Sequence, residues 1–101
     1  MTTKTSILEY ITKNHVGAEN AILAGRLCSM LGITGRLLRR AITELQVEGY
    51  PVCSDTNGYF YAVNEAEIEN TITHLSSRAQ EMETARDGLL KAKANFMAAD
   101  K

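Results

Sequence analysis

A glycine between two helix-forming stretches constrains this chain more than any other feature. From Ala24 onward Leu27, Met30 and Leu31 recur at helical spacing as a buried set, and Gly32 stops that run. Glycine accepts the left-handed backbone that closes a helix, so Ile33 can fold back onto a core. Thr34 has the side chain to cap a new helix, and good helix formers follow from Arg36 to Glu48 before Gly49 ends the run. Two helices joined by a glycine turn of about three residues make the pattern of a helix-turn-helix.

The flanking segments extend that pattern. Thr5 or Ser6 can cap a first helix, with Ile7, Leu8, Ile11 and possible help from Tyr10 on its apolar face, ending near Asn14. His15–Asn20 reads as a loop with Gly17 at the turn, and Ala21-Ile22-Leu23 fits a short strand leading into the next helix. After Gly49, Tyr50–Ser54 and Gly58–Val63 are rich in β-branched and aromatic residues. Asp55-Thr56-Asn57-Gly58 lies between them, and Asn-Gly is a strong hairpin signal. Pro51 is tolerated at the start of its strand. In a hairpin alternate residues face opposite sides, so either Phe60 or the pair Tyr59 and Tyr61 must pack on the core, and core and hairpin packing is expected rather than a stacking platform for single strands.

The last third has a different character. Asn64 can cap a helix, and Glu67 can reach back to the cap's own amide. No proline follows and the only glycine is Gly88, so a single helix of about 30 residues, roughly 45 Å, is expected. Ile68, Ile72, Leu75, Ala79, Met82, Leu89 and Phe96 lie at steps of 4 and 3, with Arg86 and Lys93 in the two gaps. Its start, at Ile68, Ile72 and Leu75, can cover the core of the preceding domain. Beyond Ser77 the apolar residues imply a partner. A two-stranded coiled coil with a second copy is the simplest one. The seam's alanine and its two cations fit modest stability, an antiparallel pair or higher-order packing, and the residues leave these open. The expected fold class is therefore mainly α with a small β-hairpin: a winged helix-turn-helix over 1–63 and a long C-terminal helix over 64–101 that serves oligomerisation through Ile72, Leu75, Ala79, Met82, Leu89 and Phe96.

The stretch from Leu27 through Gly32-Ile33-Thr34 to Leu45, then Glu48-Gly49-Tyr50-Pro51-Val52 and Gly58-Tyr59-Phe60-Tyr61, resembles the winged helix of biotin-repressor-type regulators. The likeness covers about 60 of the 101 residues and leaves out the C-terminal helix. The whole chain is also similar to small winged-helix proteins of phages and integrated elements. The resemblance implies a DNA-binding module whose recognition helix runs from Thr34 to Glu48.

The residues themselves give that helix a reading face. With Leu38, Ile42 and Leu45 turned inward, the opposite side carries Gly35, Arg36, Arg39, Arg40 and Thr43. An arginine fork can donate two parallel hydrogen bonds to guanine O6 and N7, or grip a phosphate. Arg36 and Arg39 are the candidates for base edges and Arg40 for phosphate, while the helix N-terminus at Thr34 and Gly35 can hold a further phosphate. A solvated face, with Arg40 paired to Glu44, is the plainer alternative. The hairpin tip has no Lys or Arg, so only a weak phosphate contact through Thr56, Asn57 or backbone amides is expected from it. Leu37 sits where many recognition helices carry a small or polar residue. Packing on the first helix, contact with a thymine methyl and contact with a protein are all open to it.

Bulk properties narrow the class. Residues 1–62 hold six Lys/Arg and five Asp/Glu, a balance of +1; residues 63–101 hold five and seven, a balance of −2. A net charge of −1 excludes a polycation that coats nucleic acid and leaves a small local patch. No apolar run approaches the ~20 residues of a membrane span, and the N-terminus lacks a signal peptide's apolar stretch, so a cytoplasmic protein is expected. Cys28 and Cys53 read as buried reduced thiols, and neither they nor His15 and His74 have metal-ligand spacing. Met30, Met82 and Met97 read as packing residues. No phosphate loop, carboxylate pair or nucleophile–histidine arrangement stands out, so no enzyme, cofactor or small-molecule ligand is expected. The expected partners are double-stranded DNA and a second copy, in a small transcriptional regulator. A DNA-handling accessory protein, or an interaction adaptor that has lost DNA binding, are the alternatives.

Overall fold

The computed structural model describes residues 3–99 and is mainly helical, with one two-stranded antiparallel hairpin. Helix α1 spans Thr3–Asn14, a single 3-10 turn covers Ala18–Asn20, α2 spans Ala24–Leu31 and α3 spans Gly35–Val47. Strands β1 (Val52–Asp55) and β2 (Gly58–Tyr61) follow, and then α4 (Glu65–Ala99). The chain divides into two compact units between Thr71 and Ile72.

In the first unit the core is built from one face of each element. Ile7 and Ile11 come from α1, Ile22 and Leu27 from the α2 region, Leu38, Ala41, Ile42 and Leu45 from α3, and Val52 from β1. Leu8, Tyr10, Leu31, Ile33, Tyr59 and Tyr61 pack on its margin. The spacing in α3 is the expected 4-and-3 stripe, with Ala41 filling the gap in it.

The turn between α2 and α3 follows from its sequence. Gly32 adopts φ +65, and the Ile33 amide donates to the Cys28 carbonyl at 3.1 Å, closing α2. Thr34 then accepts the Leu37 amide at 3.2 Å and starts α3.

The segment Ala21-Ile22-Leu23 is less than a strand. Ile22 makes one antiparallel bridge to Tyr59, and Val16 makes one parallel bridge to Tyr61. Both lie on the edge of β2 away from β1. Hydrogen bonds of 2.8 to 2.9 Å between Ile22 and Tyr59 fix the first, and Gly17 donates to the Tyr61 carbonyl at 2.8 Å in the second. The 3-10 turn between the two bridges consumes the residues that would have extended either of them.

β1 and β2 pair with Val52 opposite Tyr61, Cys53 opposite Phe60 and Ser54 opposite Tyr59. Val52 and the tyrosines therefore face the main core. Cys53 and Phe60 occupy the other face and are equally buried, at 2% exposed each. Thr71 of α4 binds the same strand: its hydroxyl accepts the Ser54 amide and donates to the Ser54 carbonyl, both at 3.3 Å. Both faces of the hairpin are thus used, where the pattern had assigned the core to one of them.

Several local expectations are corrected. α1 is already helical at Thr3, so neither Thr5 nor Ser6 caps it. Glu67 does not take the Asn64 amide. Its carboxylate accepts Val63 N at 2.9 Å and reaches across to Ala18 N at 2.8 Å, while Asn64 Oδ1 caps Glu67 N at 2.9 Å. Met30 is 57% exposed and Met82 63%, so neither is a core residue; Tyr10 donates to the Met30 sulfur instead. The Met97 side chain lies outside the described residues. Cys53 is buried, but Cys28 is only half-buried.

The second unit is the remainder of α4. At 35 residues, about 52 Å long, the whole helix exceeds the length expected from sequence. From Ile72 onward every described side chain is exposed. No helix among the described residues is long and apolar enough to cross a membrane.

Candidate functional site

The outer face of α3 gathers most of the residues singled out in the sequence. Taking 100° per residue, Arg36, Arg40 and Thr43 lie within about 60° of one another, opposite Leu38, Ala41, Ile42 and Leu45, and Arg39 flanks them. Arg36, Arg39, Arg40 and Thr43 are all exposed and Gly35 is half-buried. The side chains have distinct surroundings. A Cβ placed on Gly35 would lie 3.5 Å from Arg39 Nη1, so the guanidinium of Arg39 rests over the first residue of the helix. The Thr43 hydroxyl donates back to the Arg39 carbonyl at 3.0 Å. Arg40 Nε lies 3.7 Å from Glu44 Oε1, an exposed i,i+4 pair of small energetic weight. Among the described residues no ion pair involves Arg36 or Arg39.

Leu37 takes the first of its three alternatives in part. It lines a shallow groove with Thr3, Lys4, Arg40, Ala41 and Glu44, between the start of α1 and α3, yet stays 41% exposed. Lys4 closes one end of this contact by binding Glu48 Oε1 at 2.8 Å, which holds its ammonium pKa up.

The hairpin tip belongs to a different neighbourhood. Thr56 and Asn57 are exposed, and the Asn57 amide donates to Asp55 Oδ1 at 2.7 Å, which keeps an acid at the tip. Gly58 has φ +117, and a Cβ there would land on the Ile22 carbonyl. The turn is therefore pressed against the chain entering α2. Asn57 shares a cleft with Tyr10, His15, Leu23, Arg26 and Met30, and no α3 residue lines that cleft. Of the sequence-predicted pair Thr56 and Asn57, Asn57 lines this cleft and Thr56 does not.

Arg26 is the cation that the sequence reading passed over. It is exposed in the first turn of α2 and is the only Lys or Arg lining the Asn57 cleft. A lone arginine in an eight-residue helix carries no periodic signal, whereas its position three residues into a helix was readable. In the same cleft His15 Nδ1 donates to the Asn20 carbonyl at 2.8 Å, and its ring stacks obliquely on Tyr10 at 5.3 Å. Nε2 of His15 is buried with no partner. Among the described residues no three His, Cys, Asp or Glu side chains are placed to hold a metal.

The six predicted oligomerisation residues are all exposed along α4, with Ile72 at 49%, Leu89 at 72% and Phe96 at 77%. Leu90, at 56%, adds to them and was outside the 4-and-3 stripe. Comparison with family models, curated proteins and solved structures finds no match to this chain.

Proposed function

We propose that the chain binds double-stranded DNA in a sequence-specific way, as a small transcriptional regulator of winged helix-turn-helix type that acts as a dimer through α4. α3 would enter the major groove, with Arg36 and Arg39 at base edges and Arg40, Thr43 and the Thr34–Gly35 helix start on the backbone. The observation that carries this reading is the outer face of α3: its arginines are exposed, and Arg36 and Arg39 have no acidic partner among the described residues. Arg40 alone of the three has an acidic neighbour, Glu44 one turn on, in a contact of small energetic weight.

Selection of binding sites from random duplex DNA tests the reading. A defined site with symmetric half-sites is expected. Replacing Arg36 and Arg39 together by alanine should abolish binding, a loss of about 2–6 kcal/mol at one to three per base contact. The melting temperature should not fall, because both side chains are exposed. Binding that survives the double substitution would remove α3 from the interface. Uniform weak binding across sequences would favour a DNA-handling accessory role. A second reading, a protein-interaction adaptor, is favoured by the exposed Leu37 and the cation-free tip. It requires the absence of DNA retardation at low salt.

A further inference from the structure

Helix α4 is polarised in charge along its length. Between Glu65 and Glu83 it carries five acidic side chains against Arg78, and between Thr84 and Ala99 it carries Arg86, Lys91 and Lys93 against Asp87. Interaction with the helix dipole explains acids in the first turn, but that effect fades within a turn and does not reach Glu81, Glu83 or Arg86. Glu67 is already bound by the Val63 and Ala18 amides and Arg86 lies 3.2 Å from Asp87, so a partner lying alongside the helix can answer only the rest of that polarity.

The exposed stripe says how. From Ile72 on, one seam position is occupied by Ile72, Ala79, Arg86 and Lys93, and the other by Leu75, Met82, Leu89 and Phe96. In a parallel, in-register pair each seam residue meets its own copy. Arg86 would then face Arg86 and Lys93 would face Lys93, with the acidic halves side by side. The compensation is an exposed Arg78–Glu83 contact on each flank, which is weak. An antiparallel pair instead sets the first kind of position against the second. With the helices overlapping over 65–96, Ile72 meets Leu89 of the second copy, Ala79 meets Met82 and Arg86 meets Leu75. The stems of Arg86 and Lys93 then cover apolar surface while their charged ends reach the rim. Arg78 and Glu83 then lie on opposite flanks and no longer meet, so the antiparallel direction rests on relieving the Arg86 and Lys93 self-contacts.

We infer that α4 pairs with α4 of a second copy in antiparallel orientation, with the two-fold axis crossing it between Gln80 and Glu81. The inference rests on the dimer reading under Proposed function and specifies its direction. The two Glu65 ends then lie about 45 Å apart along the helix pair, where a parallel pair would set them side by side.

Energy transfer between dyes on the full-length chain tests the orientation. Asn95 and His74 are exposed and off the seam, so N95C and H74C are made in a C28S background with buried Cys53 left in place. In antiparallel dimers the two Asn95 positions are about 44 Å apart along the axis, while His74 and Asn95 of opposite copies are about 12 Å apart. Low transfer within N95C dimers and high transfer in mixed H74C–N95C dimers is the expected result. High transfer in N95C dimers, or low transfer in both arrangements, overturns the orientation while light scattering still reports a dimer. A monomer mass at tens of micromolar overturns the dimer reading itself, and a trimer or tetramer mass overturns the two-stranded pair.

Discussion

Helices α3 and α4 carry apolar side chains at the same 4-and-3 spacing, yet the two stripes end in opposite environments. In α3, Leu38, Ala41, Ile42 and Leu45 are at most 5% exposed. In α4, Leu75, Met82, Leu89 and Phe96 are between 43% and 77% exposed. Periodicity identifies which face of a helix is apolar but not what covers it. α3 is covered because α1, α2 and β1 converge on it within 71 residues of chain. Beyond Thr71 no described α4 side chain is buried.

The largest effect should come from cutting into the covered stripe. Leu38→Ala is expected to destabilise the folded chain by about 2–5 kcal/mol in urea unfolding, since Leu38 is fully buried. Leu89→Ala should leave the hairpin's unfolding midpoint unchanged at concentrations where the chain is monomeric, and weaken self-association instead. Equal losses from the two would show that α4 folds back on its own domain and would erase the contrast. Gly58→Ala comes next, at about 3 kcal/mol, because it combines a left-handed backbone with a Cβ on the Ile22 carbonyl. Fast amide exchange at Ile22 and Tyr59 in that variant would locate the damage.

Thr71→Val sharpens where coverage stops. Thr71 is the last buried residue of α4 and exchanges two hydrogen bonds with Ser54, so its loss should cost about 1–2 kcal/mol in thermal unfolding. A neutral outcome would move the boundary back toward Glu67. The smallest effect is a chemical one. Burial pushes the Cys53 thiol up, only partly opposed by the nearby Thr71 hydroxyl, whereas Cys28 is half-buried. Iodoacetamide at pH 8 should modify Cys28 first and Cys53 only on unfolding, as peptide mass mapping would show. In Thr71→Val the lag at Cys53 should shorten.

Much of this arrangement was readable because it depends on single residues with strong local preferences. Gly32, Thr34, Asn57-Gly58 and Asn64 each mark a turn or cap whose chemistry few other residues supply, and all four lie where expected. The outer face of α3 was readable for the same reason as its inner face. What escaped was non-local. The reduction of the Ile22 strand to one bridge depends on a 3-10 turn that brings Val16 and Ile22 to the same edge of β2. The double burial of the hairpin depends on Thr71, which lies 17 residues from its partner. The Glu67 carboxylate prefers a loop amide 49 residues away to the neighbouring cap amide. None of these leaves a periodic trace. The tip's contact with the chain entering α2 was hidden likewise, since nothing local tells that Gly58 backs onto Ile22.

That backing sets what variation at the hairpin can achieve. Position 58 is closed to every side chain, and Tyr59 is committed to Ile22 on one edge and Ser54 on the other. Thr56 and Asn57 are exposed, and only the Asn57 amide, not its side chain, is engaged in the turn. Diversification of this loop, in a lineage or in a library, is thus confined to two adjacent sites. A lysine or arginine at either adds positive charge to the tip with the scaffold left as it is.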